Sequence, residues 1–478
     1  MDKKFYITTP IYYANGLAHV GHFLTTTAAD VLARYQRLLL GDENVFFTTG
    51  LDEHGTTVEQ AAVKDGFTSN TIKDYTDKRA EQWKQDFDLT NISYDYFVRT
   101  TNPKHEKIAQ DFIREMVKNG DVYKAKYKGK YCNGCEKFLT LSDLNKEGYC
   151  PLHRPDQVIE IEEENYFFKL SKYAGQVKKL IEDNTIKIIP ENKKAEIISR
   201  LSGKVEDFSI SRPKEKVSWG VEFPDDPRQV IYVWIEALIN YRSSLEITKK
   251  PEDFWSNSWH LLGKDINWFH NTIWPAMLLA AGYSVFSGSF VHGFLMIGGE
   301  KISKSKGNII TPKQLVEKFG VDGARYLILA NFPYDNDSDV TWEQLIIKYN
   351  ADLANGLGNL VSRVAKLAEN SGFEFPKIQP SGSHPEGEVK KHLEEFRFDK
   401  ALEYIWGKIS EADKYLDDKK PWNLQGVTLQ EVLQELVGRI RQIANNLRPF
   451  LPETAEKVEK QFAGGKIASS SPLFPRLQ

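Results

Sequence analysis

Strand-like and helix-like patterns alternate along the first hundred residues of this chain. The run from Lys3 to Thr9 is apolar and β-branched, as in a buried strand, and the stretch from Val20 to Leu39 has the helical period. A second strand pattern near Asn44 to Thr49 precedes a helical pattern over Thr68 to Phe87. Such alternation is typical of βαβ units, whose helices cover both faces of one parallel sheet. We therefore predict an α/β fold with a doubly wound, Rossmann-like parallel sheet.

The alternation is interrupted in the middle of the chain and gives way to helices near its end. It resumes at Gln229 to Val233, Trp259 to Gly263 and Ile266 to Ala281, and from about Asn350 to Phe462 the apolar period is helical. At 478 residues the chain is long enough for several domains. We expect two halves of the sheet domain at 1–116 and 224–319, an insert at 117–223, a linking segment at 320–349, a helical bundle at 350–462 and a loosely ordered tail at 463–478.

The composition is that of an ordinary soluble protein, with 41% hydrophobic and 27% charged residues. No apolar run approaches the ~20 residues of a membrane span, and the first residues lead into a strand pattern instead of a signal peptide, so we expect a cytoplasmic protein. The net charge of -3 indicates no overall preference for nucleic acid. The stretch from Lys118 to Lys137 contains six lysines, and it is either a local RNA-binding patch or a solvated surface.

All three cysteines lie in one short stretch that has zinc-ligand spacing. Two residues separate Cys132 from Cys135, and after fourteen residues two more separate Cys150 from His153. Two such pairs supply four ligands, which fill a tetrahedral site and leave no position open for a substrate. We therefore predict one structural Zn²⁺ per chain. The alternative is a disulfide, which would use two of the three thiols in a compartment expected to be reducing.

Two histidines lie at the predicted start of the helix that follows the first strand. His19 and His22 are three residues apart, so they share one face of that helix. Unsatisfied backbone N–H groups and the positive end of the helix dipole favour an anion there, and Gly21 lets a ligand approach the backbone closely. The pattern indicates a phosphate site. Taken alone, it also fits two capping histidines.

A cation-rich segment follows the apolar run from Phe290 to Ile297. It extends from Gly298 to Asn308 and contains Lys301, Ser303 and Lys304 between glycines. A loop of this kind can close over a polyphosphate, for which lysines supply mobile point charges. For a lysine cluster considered alone, a solvated basic loop is the alternative.

Together, the segments His19-Val20-Gly21-His22 and Lys301-Ile302-Ser303-Lys304-Ser305 resemble the two signatures of class I aminoacyl-tRNA synthetases. Their order, their separation and the zinc-knuckle insert between them are similar to those of the methionyl-tRNA synthetase family. Members of that family activate methionine with ATP and Mg²⁺, release pyrophosphate, and transfer methionine to the 3′ end of tRNA(Met), including the initiator tRNA. The resemblance implies ATP binding by His19, Gly21, His22, Lys301, Ser303 and Lys304, with Arg212 and Asp265 near the adenylate.

The resemblance also implies a methionine pocket. Asp52, directly after the second strand pattern, would pair with the substrate's α-ammonium, and an aspartate that caps the next helix is the alternative. Because the methionine side chain is flexible and nearly apolar, its pocket needs polarisable aromatic walls more than hydrogen bonds. The family positions that match such walls are Ile11, Tyr13, Trp234, Ala237, Leu238, Tyr241, Phe269, His270 and Trp274.

In the helical bundle, the resemblance implies a site that reads the CAU anticodon. Asn359 and Arg363 lie four residues apart on one helix face, and Pro421 and Trp422 follow a later helical pattern. Unpaired loop bases stack well on an indole, although Trp422 in the core is the alternative. Since no recognisable oligomerisation domain follows the bundle, we expect a monomer.

Other assignments fit the sequence less well. Synthetases for leucine, isoleucine and valine carry a large editing domain, for which the insert leaves little room, and cysteinyl enzymes place a metal at the substrate thiol. A nucleotidyltransferase that acts without RNA would not need the helical bundle. A non-catalytic zinc-bearing RNA-binding protein would not need His19, His22, Lys301 and Lys304. One departure from the family is Glu236, which stands where relatives more often carry aspartate.

Overall fold

The computed structural model describes residues 3–139, 144–151, 154–297, 300–301, 310–332, 334–377, 384–385 and 387–478. The strands are β1 (Phe5–Tyr13), β2 (Val45–Asp52), β3 (Tyr96–Arg99), β4 (Val122–Cys132), β5 (Lys137–Leu139), β6 (Val158–Phe168), β7 (Lys187–Ile189), β8 (Phe208–Ser209), β9 (Ser211–Pro213), β10 (Glu222–Phe223), β11 (Asp226–Ile231), β12 (Ser258–Gly263), β13 (Gly288–His292), β14 (Leu295–Ile297), β15 (Glu300–Lys301) and β16 (Ser338–Val340). The helices are α1 (Val20–Leu40), α2 (Thr56–Lys64), α3 (Ile72–Leu89), α4 (Pro103–Lys118), α5 (Leu170–Glu182), α6 (Glu191–Leu201), α7 (Val233–Thr248), α8 (Trp274–Ala280), α9 (Pro312–Phe319), α10 (Val321–Leu329), α11 (Trp342–Lys348), α12 (Asn359–Ser371), α13 (Gly387–Glu394), α14 (Phe398–Lys419), α15 (Gly426–Leu447) and α16 (Pro452–Gln461).

Six strands form the central sheet, in the order β3-β2-β1-β12-β13-β7. Every neighbouring pair in it is parallel. The strand order reverses at β1, which has β2 on one side and β12 on the other, and this reversal is the switch point of a doubly wound sheet. All eight residues of β2 are buried, as expected for a strand that is covered on both faces. The predicted α/β fold is confirmed.

Two smaller antiparallel sheets, β5-β4-β6-β8 and β10-β11-β9, accompany the central sheet. The range 117–223, expected to be one insert, also includes β7, which pairs with β13 at the edge of the central sheet. Conversely, the run from Gln229 to Val233, expected to resume the parallel alternation, overlaps β11, which pairs with β9 and β10. Both are short apolar runs, and periodicity alone cannot assign such a run to one sheet or another.

The lysine-rich stretch from Lys118 to Lys137 contains β4, whose partner β6 is acidic. Lys126 and Lys128 lie opposite Glu164 and Glu162 in the antiparallel register. The Lys128 ammonium is 3.8 Å from the Glu162 carboxylate. Because opposite charges on facing strands weaken the local positive potential, this arrangement favours the solvated-surface alternative for β4.

A fully buried arginine joins the central sheet to the C-terminal helices. Arg325 on α10 donates to Asp30 Oδ2 on α1 at 2.6 Å and to the Phe450 carbonyl, just ahead of α16, at 2.9 Å. Asp30 also accepts from the Ser93 amide at 2.7 Å. A buried charge is tolerated when it has such a set of partners. The C-terminal helices are thereby bonded to α1, whose first turn follows His19.

Residues 463–478 pack against the helical region, contrary to the prediction of a loosely ordered tail. Ile467 and Phe474 are buried. The main chain of Leu477 exchanges two hydrogen bonds with the Asn350 side chain, each of 2.9 Å. The glycines and serines of this segment suggested mobility, but the few apolar residues between them decide how it packs.

The helices of the described residues bury one face or are enclosed by the core. In α4, for example, Ala109, Phe112, Ile113 and Met116 are buried while the charged residues lie on the opposite face. None of the described helices is both long enough and apolar enough to cross a membrane.

Candidate active site at the carboxyl edge of the central sheet

The inner strands of the central sheet end together, and polar and aromatic side chains collect where they end. β1 ends at Tyr13, β2 at Asp52, β12 at Gly263 and β13 at His292. Because the strands are parallel, these four residues lie along the same edge, and the strand order reverses between β1 and β12. Ligands of doubly wound sheets bind in the crevice outside this edge. The topology therefore places the candidate site here, beside the start of α1.

His19 and His22 stack on each other at the first turn of α1. Their ring centroids are 3.6 Å apart and their planes are 20° from parallel. His19 is the N-cap residue, since its Nδ1 accepts from the Gly21 amide at 3.1 Å, and His22 Nδ1 accepts from the His19 amide at 3.3 Å. An imidazole nitrogen that accepts carries no proton, so hydrogen bonding assigns the proton of each neutral ring to Nε2. The pair can thus cap α1 and also offer N–H donors to a phosphate.

The lysine loop begins on a short hairpin of the β15-β14-β16 sheet. Met296 of β14 lies opposite Lys301 of β15, and the other edge of β14 is parallel to β16. Lys301 therefore marks the exit from the hairpin. The Lys301 side chain, Ser303 and Lys304 lie outside the described residues. Asp265 is exposed, two residues beyond the end of β12.

Asp52 is a buried carboxylate with an acceptor atom to spare. Its Oδ1 has no hydrogen-bond partner within the described ranges. Burial, followed by the negative charges of Glu236 and Glu136, raises the pKa of Asp52 well above its usual value. A cation bound at Oδ1 would remove much of this penalty. Asp52 is not the N-cap residue of α2. That position is held by Gly55, which has no side chain with which to cap the helix.

Glu236, whose role the sequence left open, is the centre of a buried network. Its Oε1 lies 2.7 Å from His105 Nε2, and its Oε2 lies 3.3 Å from His54 Nδ1. Burial opposes its charge, but His54 and His105 outweigh burial and hold the pKa of Glu236 below its usual value. Burial likewise opposes a charge on His54, and Glu236 outweighs it and raises the pKa of His54. The network is joined to Asp52 because His54 is only two residues further along the chain.

Several of the aromatic residues predicted to form apolar walls contact one another. The Trp234 indole stacks on the Phe269 ring with 4.2 Å between centroids, and the Tyr13 ring meets Trp234 edge-on at 6.2 Å. These contacts bring together residues from β1, from α7 and from the π-helical turn Phe269–Ile273 that precedes α8. The remaining predicted wall residues, Ile11, Ala237 and Leu238, lie on β1 and on the first turns of α7.

A hydrogen-bonded pair lies deeper, beneath these walls. The Tyr241 hydroxyl and His270 Nε2 are 2.7 Å apart, and His270 Nδ1 is 3.1 Å from the Ile266 carbonyl. Nδ1 must donate to the carbonyl, so Nε2 accepts from Tyr241. Burial lowers the pKa of His270 to about 4, which keeps the ring neutral at physiological pH. Trp274 is completely buried with its ring centroid 6.1 Å from that of Tyr241, so it supports the pocket from the core.

Arg212 lies on β9, at one edge of the β10-β11-β9 sheet. Its Nε and Nη2 donate to the two carboxylate oxygens of Glu163 at 2.8 and 2.9 Å. Its guanidinium carbon lies 4.2 Å from the centroid of the Tyr131 ring. Burial disfavours its charge, but Tyr131 and Glu163 outweigh burial and raise the pKa of Arg212. Arg212 shares a small cavity with His54 and Glu136, so it faces the same site as the Asp52 turn.

Two glutamates escaped sequence reasoning: Glu136, which lines this cavity, and Glu163, which pairs with the lining residue Arg212. Glu136 accepts from the Thr56 hydroxyl at 2.6 Å and from the Thr57 amide at 2.5 Å, and Glu163 holds Arg212. The position of Glu136 next to a predicted metal ligand was the one available signal. Glu163 gave none, because a glutamate in an acidic strand is ordinarily solvated.

The three cysteines meet in one cluster. Their sulfur atoms lie within 4.8 Å of one another, and 3.6 Å separates those of Cys135 and Cys150. No disulfide joins any of the three, so the disulfide alternative is not met. Hydrogen bonding from Cys132, together with burial, raises the pKa of the Cys135 thiol, and a bound cation would favour its thiolate. Three thiols suit a soft divalent metal, and the fourth predicted ligand, His153, lies outside the described residues.

The predicted anticodon residues lie on the C-terminal helices. Asn359 is exposed, and Arg363 is half-buried and paired with Asp413 and Asp417 of α14 at 3.3 and 2.6 Å. Trp422 is 51% exposed in the short turn after α14, so it is not a core residue. Pro421, just before it, is buried. Asp417 is on the last turn of α14, so the guanidinium of Arg363 and the Trp422 indole lie near the same helix end.

Taken together, the switch-point site, the histidine cap and the insert with three clustered cysteines are the arrangement of a class I tRNA synthetase. A family model described as tRNA synthetases class I (M) matches residues 5–160 and 155–365. A methionine–tRNA ligase of Caldanaerobacter subterraneus subsp. tengcongensis is 40% identical over 100% of this chain and 79% of its own length. One of Thermotoga maritima is also 40% identical, over 95% of this chain and 74% of its own length.

Solved structures agree with these sequence relatives. The methionyl-tRNA synthetase of Mycobacterium tuberculosis in complex with methionyl-adenylate is 32% identical and has a TM-score of 0.88. The match covers 99% of this chain and 100% of that one. The free form of the same enzyme has a TM-score of 0.80 at 30% identity, over 100% of this chain and 99% of that one. The chain belongs to the methionyl-tRNA synthetase family, the methionine–tRNA ligases of class I.

Proposed function

We propose that this chain activates methionine with ATP and then transfers the methionyl group to tRNA(Met). The observation that carries the proposal is the placement of Asp52 at the carboxyl edge of β2, where it is buried with an unused acceptor. Tyr13 and Trp234 line the apolar side of the same edge. A carboxylate beside an apolar, aromatic pocket suits an amino acid whose α-ammonium is charged and whose side chain is not.

The proposed activation step needs little acid–base chemistry from the protein. The methionine carboxylate attacks the α-phosphorus of ATP, a carboxyl-oxygen-to-phosphorus bond forms, and the bond to the bridging oxygen breaks with pyrophosphate as the leaving group. The protein's contribution is positioning and stabilisation of the charge that develops on the phosphates. In the proposed roles, His19 and His22 donate from Nε2, and Lys301 and Lys304 contribute charge. Mg²⁺ bound with ATP would neutralise phosphate charge further.

The second proposed step joins the methionyl group to a hydroxyl at the 3′ end of the tRNA and releases AMP. We assign anticodon recognition to Asn359, Arg363 and Trp422, with Pro421 fixing the turn that exposes the indole. To bond to a base, Arg363 would exchange one of its two aspartate partners for the RNA. The exposed Trp422 ring needs no such exchange, since its face can stack directly on a base.

We assign a structural Zn²⁺ to Cys132, Cys135, Cys150 and His153. The described sulfurs are close enough to share one ion. Four protein ligands would leave no open coordination position, so the metal would stabilise the insert and would not take part in the reaction.

The experiment that tests the proposed activity is amino-acid-dependent exchange of pyrophosphate into ATP. Purified protein with Mg²⁺ and no tRNA would be assayed with each of the twenty amino acids. We expect exchange with methionine alone. Exchange with a different amino acid would overturn the pocket assignment but keep the enzyme class, and no exchange with any amino acid would overturn tRNA-independent activation.

Trp422→Ala should weaken tRNA charging and leave amino-acid activation unchanged. One lost base stack is worth about 1 to 3 kcal/mol, so kcat/KM for tRNA should fall by roughly 5- to 150-fold. Charging kinetics and pyrophosphate exchange would be measured on the same preparations. Val427→Ala, which shortens an exposed apolar residue nearby, is the matched control and should change neither assay. Unchanged charging in the Trp422 variant would refute the anticodon assignment.

Removal of the metal should destabilise the insert and impair tRNA charging. The binding free energy of a structural zinc ion contributes directly to folding, so treatment with 1,10-phenanthroline should lower the melting temperature and the charging rate. Added Zn²⁺ should restore both, and the non-chelating isomer 1,7-phenanthroline is the control. A chelator that removes the ion without affecting stability or charging would contradict a structural metal.

A further inference from the structure

Cys135 of the cysteine cluster and the next residue, Glu136, contact the start of α7, which carries one wall of the proposed pocket. The Trp234 indole N–H donates to the Cys135 carbonyl at 3.2 Å, and the Tyr232 hydroxyl donates to the Glu136 carbonyl. Tyr232 is the N-cap residue of α7, and Trp234 lies on its first turn. The metal-binding loop is therefore bonded directly to the pocket indole and to the residue that begins its helix.

The side chain of Glu136 reaches the opposite wall, at the turn after β2. Its Oε1 accepts from the Thr56 hydroxyl and from the Thr57 amide, the first two residues of α2. The N-cap of α2 is Gly55, which has no side chain to cap the helix. A Cβ on Gly55 would lie 2.4 Å from Glu136 Oε2, so only glycine leaves space for this carboxylate. Glu136 thus caps α2 from eighty residues away in the chain, with the charge that a helix N-terminus favours.

The backbone of Glu136 supports a dedicated role for this side chain. Its φ is +46°, in the left-handed region that residues other than glycine seldom adopt, and its side chain is only 1% exposed. Strained backbone and a buried carboxylate each cost free energy, and they persist together where the surrounding contacts fix them. Here the contacts are the amide and hydroxyl of α2 on one side and Tyr232 on the other.

We propose that Glu136 is a positioning residue for methionine activation. By capping α2 it fixes the turn from Asp52 to Thr57, and with it the direction of the Asp52 carboxylate. Its main chain and that of Cys135 hold the Trp234 wall at the same time, so one short segment sets the distance between the charged and the apolar side of the site. This inference rests on the proposed roles of Asp52 and Trp234 in binding methionine.

The kinetic test compares two replacements of Glu136 in the full-length, metal-loaded protein. Glu136→Gln keeps an acceptor oxygen for the Thr57 amide, so the KM for methionine in pyrophosphate exchange should remain within about 3-fold of wild type. Glu136→Ala removes the cap and should raise that KM about 10-fold, with little change in the KM for ATP or in kcat. Glu147→Ala, an exposed glutamate of the same cysteine-bearing loop, is the control and should change nothing.

The other outcomes would overturn the proposal. An unchanged KM for methionine in Glu136→Ala would mean that the cap does not position the site. Equal losses in the Gln and Ala variants would mean that the carboxylate charge contacts the substrate directly. If kcat and the melting temperature fell together while the KM values for methionine and ATP both rose, Glu136 would be merely structural.

Amide hydrogen exchange measures the cap without any substrate. Peptides that cover the first turn of α2 should exchange faster in Glu136→Ala than in wild type, and Glu136→Gln should retain protection. Equal protection in all three proteins would refute the capping role. If the wild-type protein shows no methionine-dependent pyrophosphate exchange, the proposed function fails, while the hydrogen-exchange result still decides whether Glu136 fixes this turn.

Discussion

Asp52→Asn is expected to reduce methionine activation by more than about a hundredfold, without lowering the stability of the ligand-free protein. The asparagine has nearly the same shape, but it cannot pair with the substrate's α-ammonium. Leaving a buried charge without its partner costs about 3 to 5 kcal/mol, so kcat/KM for methionine should fall by roughly 10²- to 5 × 10³-fold. Pyrophosphate exchange with varied methionine measures this, and the KM for ATP should change much less.

The stability of the Asp52 variant follows from the direction of the pKa shift. Burial and two neighbouring carboxylates raise the pKa of Asp52, so the folded protein holds this proton more tightly than the unfolded chain does. Above the unfolded pKa, ionisation of Asp52 therefore costs folding free energy, and the neutral asparagine removes that cost. The melting temperature of Asp52→Asn at neutral pH should equal or exceed that of wild type.

Glu236→Gln is the matched control because the pKa of Glu236 is shifted in the opposite direction from that of Asp52. His54 and His105 overcome burial and lower the pKa of Glu236, so its charge contributes stability above the unfolded pKa, and that stability is lost as pH falls through the folded pKa. At neutral pH this variant should melt at a lower temperature than wild type. A clear drop in melting temperature for Asp52→Asn as well would contradict the assignment of Asp52 to the substrate and make it a structural group.

The elements of the central sheet could be predicted because each has a strong local signal. The apolar run that begins at Lys3 became β1, and the helical period from Val20 became α1. The edge strand β7 could not be predicted, because a three-residue strand with only two apolar residues joins a sheet only through its partner β13, about a hundred residues further on. The same holds for the tail, where Phe474 is buried against distant helices.

The residues of the candidate site likewise fall into two groups: those that local sequence patterns predict and those that only the tertiary structure reveals. His19, His22 and Asp52 belong to short motifs at strand and helix ends, so their placement follows from local patterns and from the parallel sheet. Glu136 and Glu163 act on residues that lie 80 and 49 positions away, and no periodicity links such partners. The sequence therefore predicts groups at the sheet edge, whereas the groups that hold them in position require the tertiary structure.

His22→Asn is expected to reduce pyrophosphate exchange by about 10²- to 10³-fold with little loss of stability. The Oδ1 of the introduced asparagine takes the place of the imidazole Nδ1. It can still accept from the His19 amide, so the cap of α1 is kept. Asparagine has no donor at the position of Nε2, and removal of one preorganised donor to developing charge costs about this factor in kcat. Exchange rates and melting temperatures would be measured together.

His22→Gln is the complementary variant, because its amide NH₂ lies near the position of Nε2 while no acceptor remains near Nδ1. It should retain more activity than His22→Asn but melt at a lower temperature, since the cap is lost. This opposite order of activity and stability follows only if His22 both caps α1 and donates to the nucleotide. The ring also packs 4.6 Å from Tyr12 and 4.8 Å from Trp83, centroid to centroid. If both variants lost activity in proportion to their loss of stability, this packing would explain the effect of replacing His22. The assignment of His22 to ATP binding would then be wrong.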